Sequence, residues 1–265
     1  CNVLNKRGYH MSDWNSSQYM KFGRERTQPS ADLINRLGGI TPARVLDLGC
    51  GPGNSTAALA ERFTGSEILG IDYSEDMLAR ARETHPKLEF VRCSVPDELD
   101  RIDGEFDLIF SNACIHWIPG QAALLKALFG KLSSGGTLAV QIPLIQHALF
   151  YRLLDELVAD GGWQRLSEVH NFHNLLPEEY YDLLGELSSG FAIWETTYYH
   201  TVQSPDGVIE WYKGSGLRPY IDLLDSGEKE EFLADLRSTV AANFPSRQNG
   251  SVILKTPRLF FTAVK

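Results

Sequence analysis

Val45-Leu46-Asp47-Leu48-Gly49-Cys50-Gly51-Pro52-Gly53-Asn54-Ser55-Thr56 reads as an apolar run that breaks into three glycines and reopens on a helix start. A strand entering such a turn leaves backbone N–H groups exposed at the head of the next helix, which is how a nucleotide-like ligand is gripped. The dinucleotide fingerprint spaces its glycines G-x-G-x-x-G. Here the spacing is G-x-G-x-G, and Asn54 stands where the third glycine of that fingerprint belongs. Asp47, two residues before the first glycine, would repel a pyrophosphate and suits an ammonium group. Roughly 20 residues on, Ile68-Leu69-Gly70-Ile71-Asp72 is a second short apolar run closed by an acid, the position from which such folds hold ribose hydroxyls. Each feature has a plainer role: glycines permit positive φ, and Asp72 could face only the dipole of a helix starting near Ser74. The spacing between the two favours a ligand site.

The 265 residues suffice for one substantial core, so one α/β unit with an insertion is expected rather than two independent domains. A hydrophobic content of 43% and a charged content of 22% are those of a globular protein. No run is long and apolar enough to span a bilayer, and a secretory leader pattern is missing, so a cytoplasmic enzyme is expected. Residues 1–10 read as a leader joined to a natural start at Met11. The net charge of −9 opposes a phosphate-tracking surface, which moves nucleic acid down and small molecules up as partners. The four cysteines form no C-x-x-C pair, and His170 and His173 lack a carboxylate or cysteine at ligand spacing, so neither disulfides nor a metal are expected.

Strand and helix patterns alternate from Arg44 to about Ala159, which argues for a parallel sheet covered on both faces. Strands are expected near 44–49, 67–72, 88–92, 106–113 and 136–142, and helices near 54–63, 75–84 and 120–132. Gly135-Gly136 reads as a turn into the last central strand. Beyond it come a strand from Phe191 to His200, helices near 205–215 and 226–243, and two strand runs, Ser251–Leu254 and Arg258–Val264, separated by Pro257.

The acid-x-G-x-G-x-G pattern resembles the first motif of class I S-adenosylmethionine (SAM)-dependent methyltransferases. The resemblance narrows with Trp14-Asn15, Tyr19, Phe22, Glu25-Arg26-Thr27, Pro29, Asp107–Ala113, Trp117, Leu138–Gln141, Thr197–His200, Trp211, Gly216–Pro219 and Pro257–Phe260, which together are similar to trans-aconitate methyltransferases from Met11 to Val264. That family implies a Rossmann-like α/β fold: a mostly parallel seven-stranded sheet with helices on both faces, an antiparallel C-terminal strand and a helical cap insertion. It further implies one domain over 11–265, with a lid segment at 11–40 and the cap within about 144–250. The implied reaction transfers a methyl from SAM to a carboxylate of a small tricarboxylic acid, giving a monomethyl ester and S-adenosylhomocysteine. A carboxylate is ionised and nucleophilic at neutral pH, so positioning and desolvation suffice and no catalytic base is expected.

By motif match the resemblance assigns the cofactor to Asp47, Gly49, Gly51, Gly53, Asp72, Tyr73, Met77, Ser94, Val95, Asn112 and Ala113, with Arg26 reaching it from the lid. A polyanionic acceptor in an acidic chain needs arginines; Arg218 and Arg258 are the candidates, with Trp117, Tyr198, Tyr199, His200 and Tyr220 as pocket walls. His116 matters as a base only for a hydroxyl acceptor. Two departures stand out. Cys93-Ser94-Val95 lacks the usual acid for the adenine amino group, and Leu144-Ile145 replaces two polar residues near the acceptor, which favours a more apolar acid. The competing readings are a related methyltransferase for another carboxylic acid or a hydroxyl, a non-catalytic SAM-binding module, and an NAD-dependent oxidoreductase, the last disfavoured by Asp47 and Asn54. Oligomeric state is not legible in the sequence.

Overall fold

The computed structural model describes residues 23–160, 162–169 and 172–265, with the side chains of residues 23–26 excepted. Seven strands, β1 (Arg44–Leu48), β2 (Glu67–Asp72), β3 (Glu89–Arg92), β4 (Phe106–Asn112), β5 (Leu132–Pro143), β6 (Gly190–Val202) and β7 (Val252–Val264), form one sheet. Their order is β3-β2-β1-β4-β5-β7-β6. The strands from β3 to β5 pair in parallel, and β7 enters between β5 and β6 antiparallel to both. This is the mixed seven-stranded α/β sheet that the methyltransferase resemblance implies.

The helices are α1 (Gly23–Arg36), α2 (Asn54–Arg62), α3 (Glu75–Thr84), α4 (Gln121–Lys131), α5 (Leu149–Asp160), α6 (Pro177–Leu187), α7 (Pro205–Lys213), α8 (Arg218–Ile221) and α9 (Ser226–Asn243). Parallel strands buried on both faces read as continuous apolar runs, and period-two alternation sorts their side chains. Leu46, Leu48 and Ile109 face α4 and α6, meeting Leu124, Leu128, Tyr180 and Leu184. Val45, Leu108 and Phe110 face the other way, onto Leu33 of α1 and Leu59 of α2. Each such fully buried side chain contributes roughly 1.5–3 kcal/mol. Ser74 starts α3 as expected, its hydroxyl accepting from the Met77 N–H at 3.4 Å.

Three details depart from the sequence reading. The expected turn at Gly135-Gly136 lies inside β5, where the register slips between Phe106↔Leu132 and Leu108↔Thr137. The bulged residues bond the end of β7 instead: Lys265 N–H donates to Gly136 O at 2.9 Å. Pro257 does not split the last strand. Its carbonyl accepts from Leu144 N–H at 3.0 Å, on the side where β5 is ending, so its missing N–H costs no bond to β6. The cap, finally, is not one insertion. Residues 144–250 contain β6, and the helical cover comes from two excursions flanking it, α5 on one side and α7–α9 on the other. These meet in a separate core built on Phe150, Leu154, Trp211, Phe232, Leu236 and Val252. Among the described residues, no helix is long and apolar enough to cross a membrane.

Candidate active site

The turn after β1 is held by backbone bonds to β2. Gly49 and Cys50 N–H donate to Ile71 O at 2.8 and 3.0 Å. Asp72, closing β2, accepts from Gly51 N–H through Oδ2 and from Ser74 N–H through Oδ1, both at 2.9 Å. Gly49 has φ +72°, and a Cβ there would overlap the Cys114 side chain. Gly51 has φ +53° and open space on its Cβ side, so the backbone is bare toward the cleft. Ala113, after β4, also has positive φ, at 53°, and its N–H donates to Gln141 O at 2.9 Å.

Asp47 lies beneath this turn rather than on the cleft wall. It is 0% exposed, and its Oδ2 accepts from the hydroxyls of Ser55 at 2.6 Å and Thr56 at 2.7 Å at the start of α2. Burial raises its pKa to about 6, against the lowering effect of the two hydroxyls, and repulsion from Asp72 adds to the rise. At neutral pH it is ionised and sets a negative potential under the turn. Asp72 is also raised by burial, opposed by the N–H groups of Ser74 and Gly51.

A cleft opens along the carboxyl ends of β1, β2, β4, β5 and across β7. It encloses about 1510 Å³, part of it open to solvent. At one end Asp72, Tyr73, Met77, Cys93 and Val95 line it beside Gly49 and Gly51. This half fits a ribosyl cofactor: the Asp72 carboxylate, held by the N–H groups of Gly51, Ser74 and Tyr73, keeps accepting capacity for a hydroxyl, and Tyr73, Met77 and Val95 give an apolar slot for a ring. Asn112 Oδ1, at the middle of the cleft, is buried with no hydrogen-bond partner among the described residues.

The other end is walled by Trp117, Leu144, Ile145, Tyr151, Phe172, Trp211 and Tyr212. Arg258 is the one arginine or lysine among the described residues lining the cleft, and its charge acts on His116, Tyr198 and Tyr212. His116 is 3% exposed, its ring 4.9 Å from that of Trp117 and 5.8 Å from that of Phe172. Burial pushes its pKa well down, with Arg258 and His173 adding to the effect, so the imidazole is neutral. Cys114 is pushed up to about 12, chiefly by burial, and stays a thiol.

Of the residues singled out from sequence, the structure brings Gly49, Gly51, Asp72, Tyr73, Met77, Val95, Asn112, Ala113, His116, Trp117 and Arg258 to this cleft. Gly53 lies behind the turn, where a Cβ would press on Phe90 and His85. Ser94 is not on the cleft wall, and its backbone N–H donates to Glu98 at 2.8 Å. Five acceptor candidates are off the wall. Tyr198 donates its hydroxyl to Asp32 of α1 at 2.6 Å, and His200 stacks behind Trp211 at 4.7 Å. Tyr199 points to the opposite face of β6, 63% exposed, with Lys255 over its ring. Arg218 pairs with Asp222 at 3.4 Å, and Tyr220 is buried in the cap core. The Arg26 side chain and residues 1–22 are outside the described residues. Gln141, Thr256, Tyr151, Phe172 and Tyr212 line the cleft although the sequence reading gave them no role. Thr256 was within reach of that reading, since strand periodicity puts it on the face of Arg258.

The chain was compared with known proteins. A methyltransferase-domain family profile matches residues 45–136. A trans-aconitate 2-methyltransferase of Rhodopseudomonas palustris (strain BisB5) is 40% identical over 258 residues, covering 96% of this chain and 100% of its own. Enzymes of the same name from Methylobacterium nodulans and Paracidovorax citrulli are 40% and 36% identical, each over 96% of this chain and 98% of theirs. Among solved structures, the YcgJ protein of Bacillus subtilis matches in fold with a TM-score of 0.56 at 18% identity, over 89% of this chain and 98% of that one. Phosphoethanolamine N-methyltransferase 2 of Haemonchus contortus, solved with SAM, matches with a TM-score of 0.52 at 20% identity, over 89% of this chain and 52% of that one. A glycine turn over a buried acid, an acid closing the next strand at the cleft and full-length identity near 40% converge: the chain is a SAM-dependent methyltransferase and belongs to the trans-aconitate 2-methyltransferase family.

Proposed function

We propose that this enzyme methylates a carboxylate of a small polycarboxylic acid, with trans-aconitate the first candidate, giving a monomethyl ester and S-adenosylhomocysteine. The observation that carries the reading is Arg258, the one arginine or lysine among the described residues on the cleft wall, set in its largely aromatic half in a chain of net charge −9. The name shared by relatives at 36–40% identity supports the same acceptor. SAM, when bound, supplies an electrophilic methyl group on a sulfonium.

The residues divide the remaining work. Asp72 accepts from the ribose hydroxyls, and Tyr73, Met77 and Val95 pack on the adenine. Asp47, ionised beneath the turn, favours the cofactor's ammonium end through space. Asn112 and Ala113 underlie the reacting region, while Trp117, Phe172, Trp211 and Tyr212 keep water out, so that orientation and desolvation lower the barrier. Within the expected lid segment, α1 covers the site: it puts Pro29 on the cleft wall and is tied to β6 through Asp32 and Tyr198. A metabolite acceptor suits a cytoplasmic location, and the acidic chain argues against nucleic acid and anionic membrane as partners.

His116 favours a second reading, a hydroxyl acceptor, because Nδ1 is buried at the cleft with no hydrogen-bond partner among the described residues. Its lowered pKa makes it a weak base, which ranks this reading second. Incubation with methyl-labelled SAM and a panel of carboxylic acids, followed by mass spectrometry, separates the two. A base-labile ester supports the carboxylate reading; no ester from any acid, with SAM still bound, refutes it.

A further inference from the structure

We propose that Gln141 orients the reacting carboxylate while Arg258 holds a second, spectator carboxylate, so that the acceptor class is acids carrying two carboxylates on a short spacer. This rests on the carboxylate-methylation reading and says which part of the acceptor goes where. Three neutral polar side chains at the cleft are more than nine-tenths buried with an atom that has no hydrogen-bond partner among the described residues: Gln141 at Nε2, Thr256 at Oγ1 and His116 at Nδ1, at 1%, 5% and 3% exposure. An unpaired buried donor costs about 1–3 kcal/mol. Their residues line the cleft, where a ligand with acceptor and donor groups would satisfy them.

The sheet orders them. Asn112 on β4 is in register with Gln141 on β5, and Gln141 faces Phe260 on β7 while Pro143 faces Arg258. Cross-strand partners share a face, so Gln141 and Arg258 are diagonal neighbours, about 7–8 Å apart at their Cα atoms. Gln141 is therefore one strand nearer the cofactor end of the cleft, and Arg258, with Thr256 two residues before it on the same face, lies beyond. About two or three carbons between carboxylates bridge that step.

The charge balance of the reaction assigns the roles. In the transfer a carboxylate oxygen forms a C–O bond to the methyl as the methyl–sulfur bond breaks, the bonding pair staying on sulfur. The carboxylate's negative charge disappears along the way. A cation gripping that group would hold the ground state more tightly than the transition state and so raise the barrier. A neutral amide donor orients the group at smaller cost. The carboxylate that keeps its charge throughout loses nothing against an arginine.

The test uses the full-length enzyme, trans-aconitate and a derivative of it in which the spectator carboxylate is a primary amide. Acceptor binding is measured by calorimetry with S-adenosylhomocysteine present, and turnover separately. Arg258→Gln should weaken trans-aconitate binding roughly 30-fold or more, yet change binding of the amide less than threefold. Gln141→Leu should lower kcat roughly tenfold to a hundredfold with KM within about twofold, and should melt no lower than wild type, since it removes an unpaired donor. Gln141 at wild-type kcat after substitution, or an Arg258→Gln loss equal for the acid and the amide, overturns the proposal. Failure of the wild type to esterify any acid overturns the underlying reading as well, and is seen before any variant is made.

Discussion

Asp47→Asn isolates a conflict between stability and function. In the folded chain the Asp47 carboxyl has its pKa raised from 3.8 to about 6, so the folded state binds the proton more tightly than the unfolded chain. The penalty for ionising it is absent well below pH 3.8, grows as pH rises through the interval and is complete above about 6. A carboxyl moved from 3.8 to about 6 destabilises the fold by about 3 kcal/mol at neutral pH. Asparagine keeps the carbonyl that Ser55 and Thr56 bond but never ionises. Its amide introduces an unpaired donor, a cost that does not depend on pH. The difference in unfolding free energy, variant minus wild type, should therefore move in the variant's favour by about 2 kcal/mol between about pH 4.5 and 7.5. Urea unfolding of both proteins without cofactor, at several pH values, measures it. A difference that stays flat with pH would refute the raised pKa and with it the picture of Asp47 as a buried, reluctantly ionised acid.

The same carboxyl predicts that SAM affinity weakens as pH falls through about 6, by at most tenfold per pH unit, whereas Asp47→Asn binds SAM weakly and without that pH dependence; a titration series by calorimetry checks it. Gly49→Ala and Gly51→Ala should fail differently. Both lose about 1–2 kcal/mol to positive φ, but Gly49→Ala also drives its Cβ into Cys114 and should melt much lower, while Gly51→Ala stays folded and loses SAM binding as its methyl enters the cleft. Melting curves with and without SAM distinguish these. Tyr198→Phe should cost about 0.5–1.5 kcal/mol through the lost bond to Asp32 and leave the acceptor's KM within about twofold; a KM shift above tenfold would return Tyr198 to the acceptor pocket.

The cofactor half was legible because its determinants are local. Gly49, Gly51 and Asp72 lie at the carboxyl ends of two adjacent parallel strands, and spacing along the chain maps directly onto spacing at the sheet edge. The acceptor half is assembled from β5 and β7, which the chain brings together only after an intervening strand and five helices. Neither Gln141 nor Thr256 carries a mark of its partner in the local sequence. The run Tyr198-Tyr199-His200 shows a second limit: consecutive strand residues face opposite ways, so a motif read as a block cannot all line one pocket. Its family likeness could not say that Asp32 and Trp211 would cover the two residues on the inner face. Arg218 is followed four residues on by Asp222, outside the quoted motif, and that pairing was readable as an i, i+4 contact.

The place of β7 also dictates when each half of the enzyme exists. β1 through β4, with the glycine turn and Asp72, are synthesised first and pair among themselves. β5 then joins β4, but its other edge stays open and β6 emerges with nothing to pair with, since β6 pairs with β7 alone. On the ribosome, a chain competent to grip its cofactor thus carries two unsatisfied strand edges until β7 is released. The acceptor half, with Arg258 on β7, is born only after the cofactor half, so a chain terminated before β7 could hold SAM yet lack the arginine that grips its acceptor.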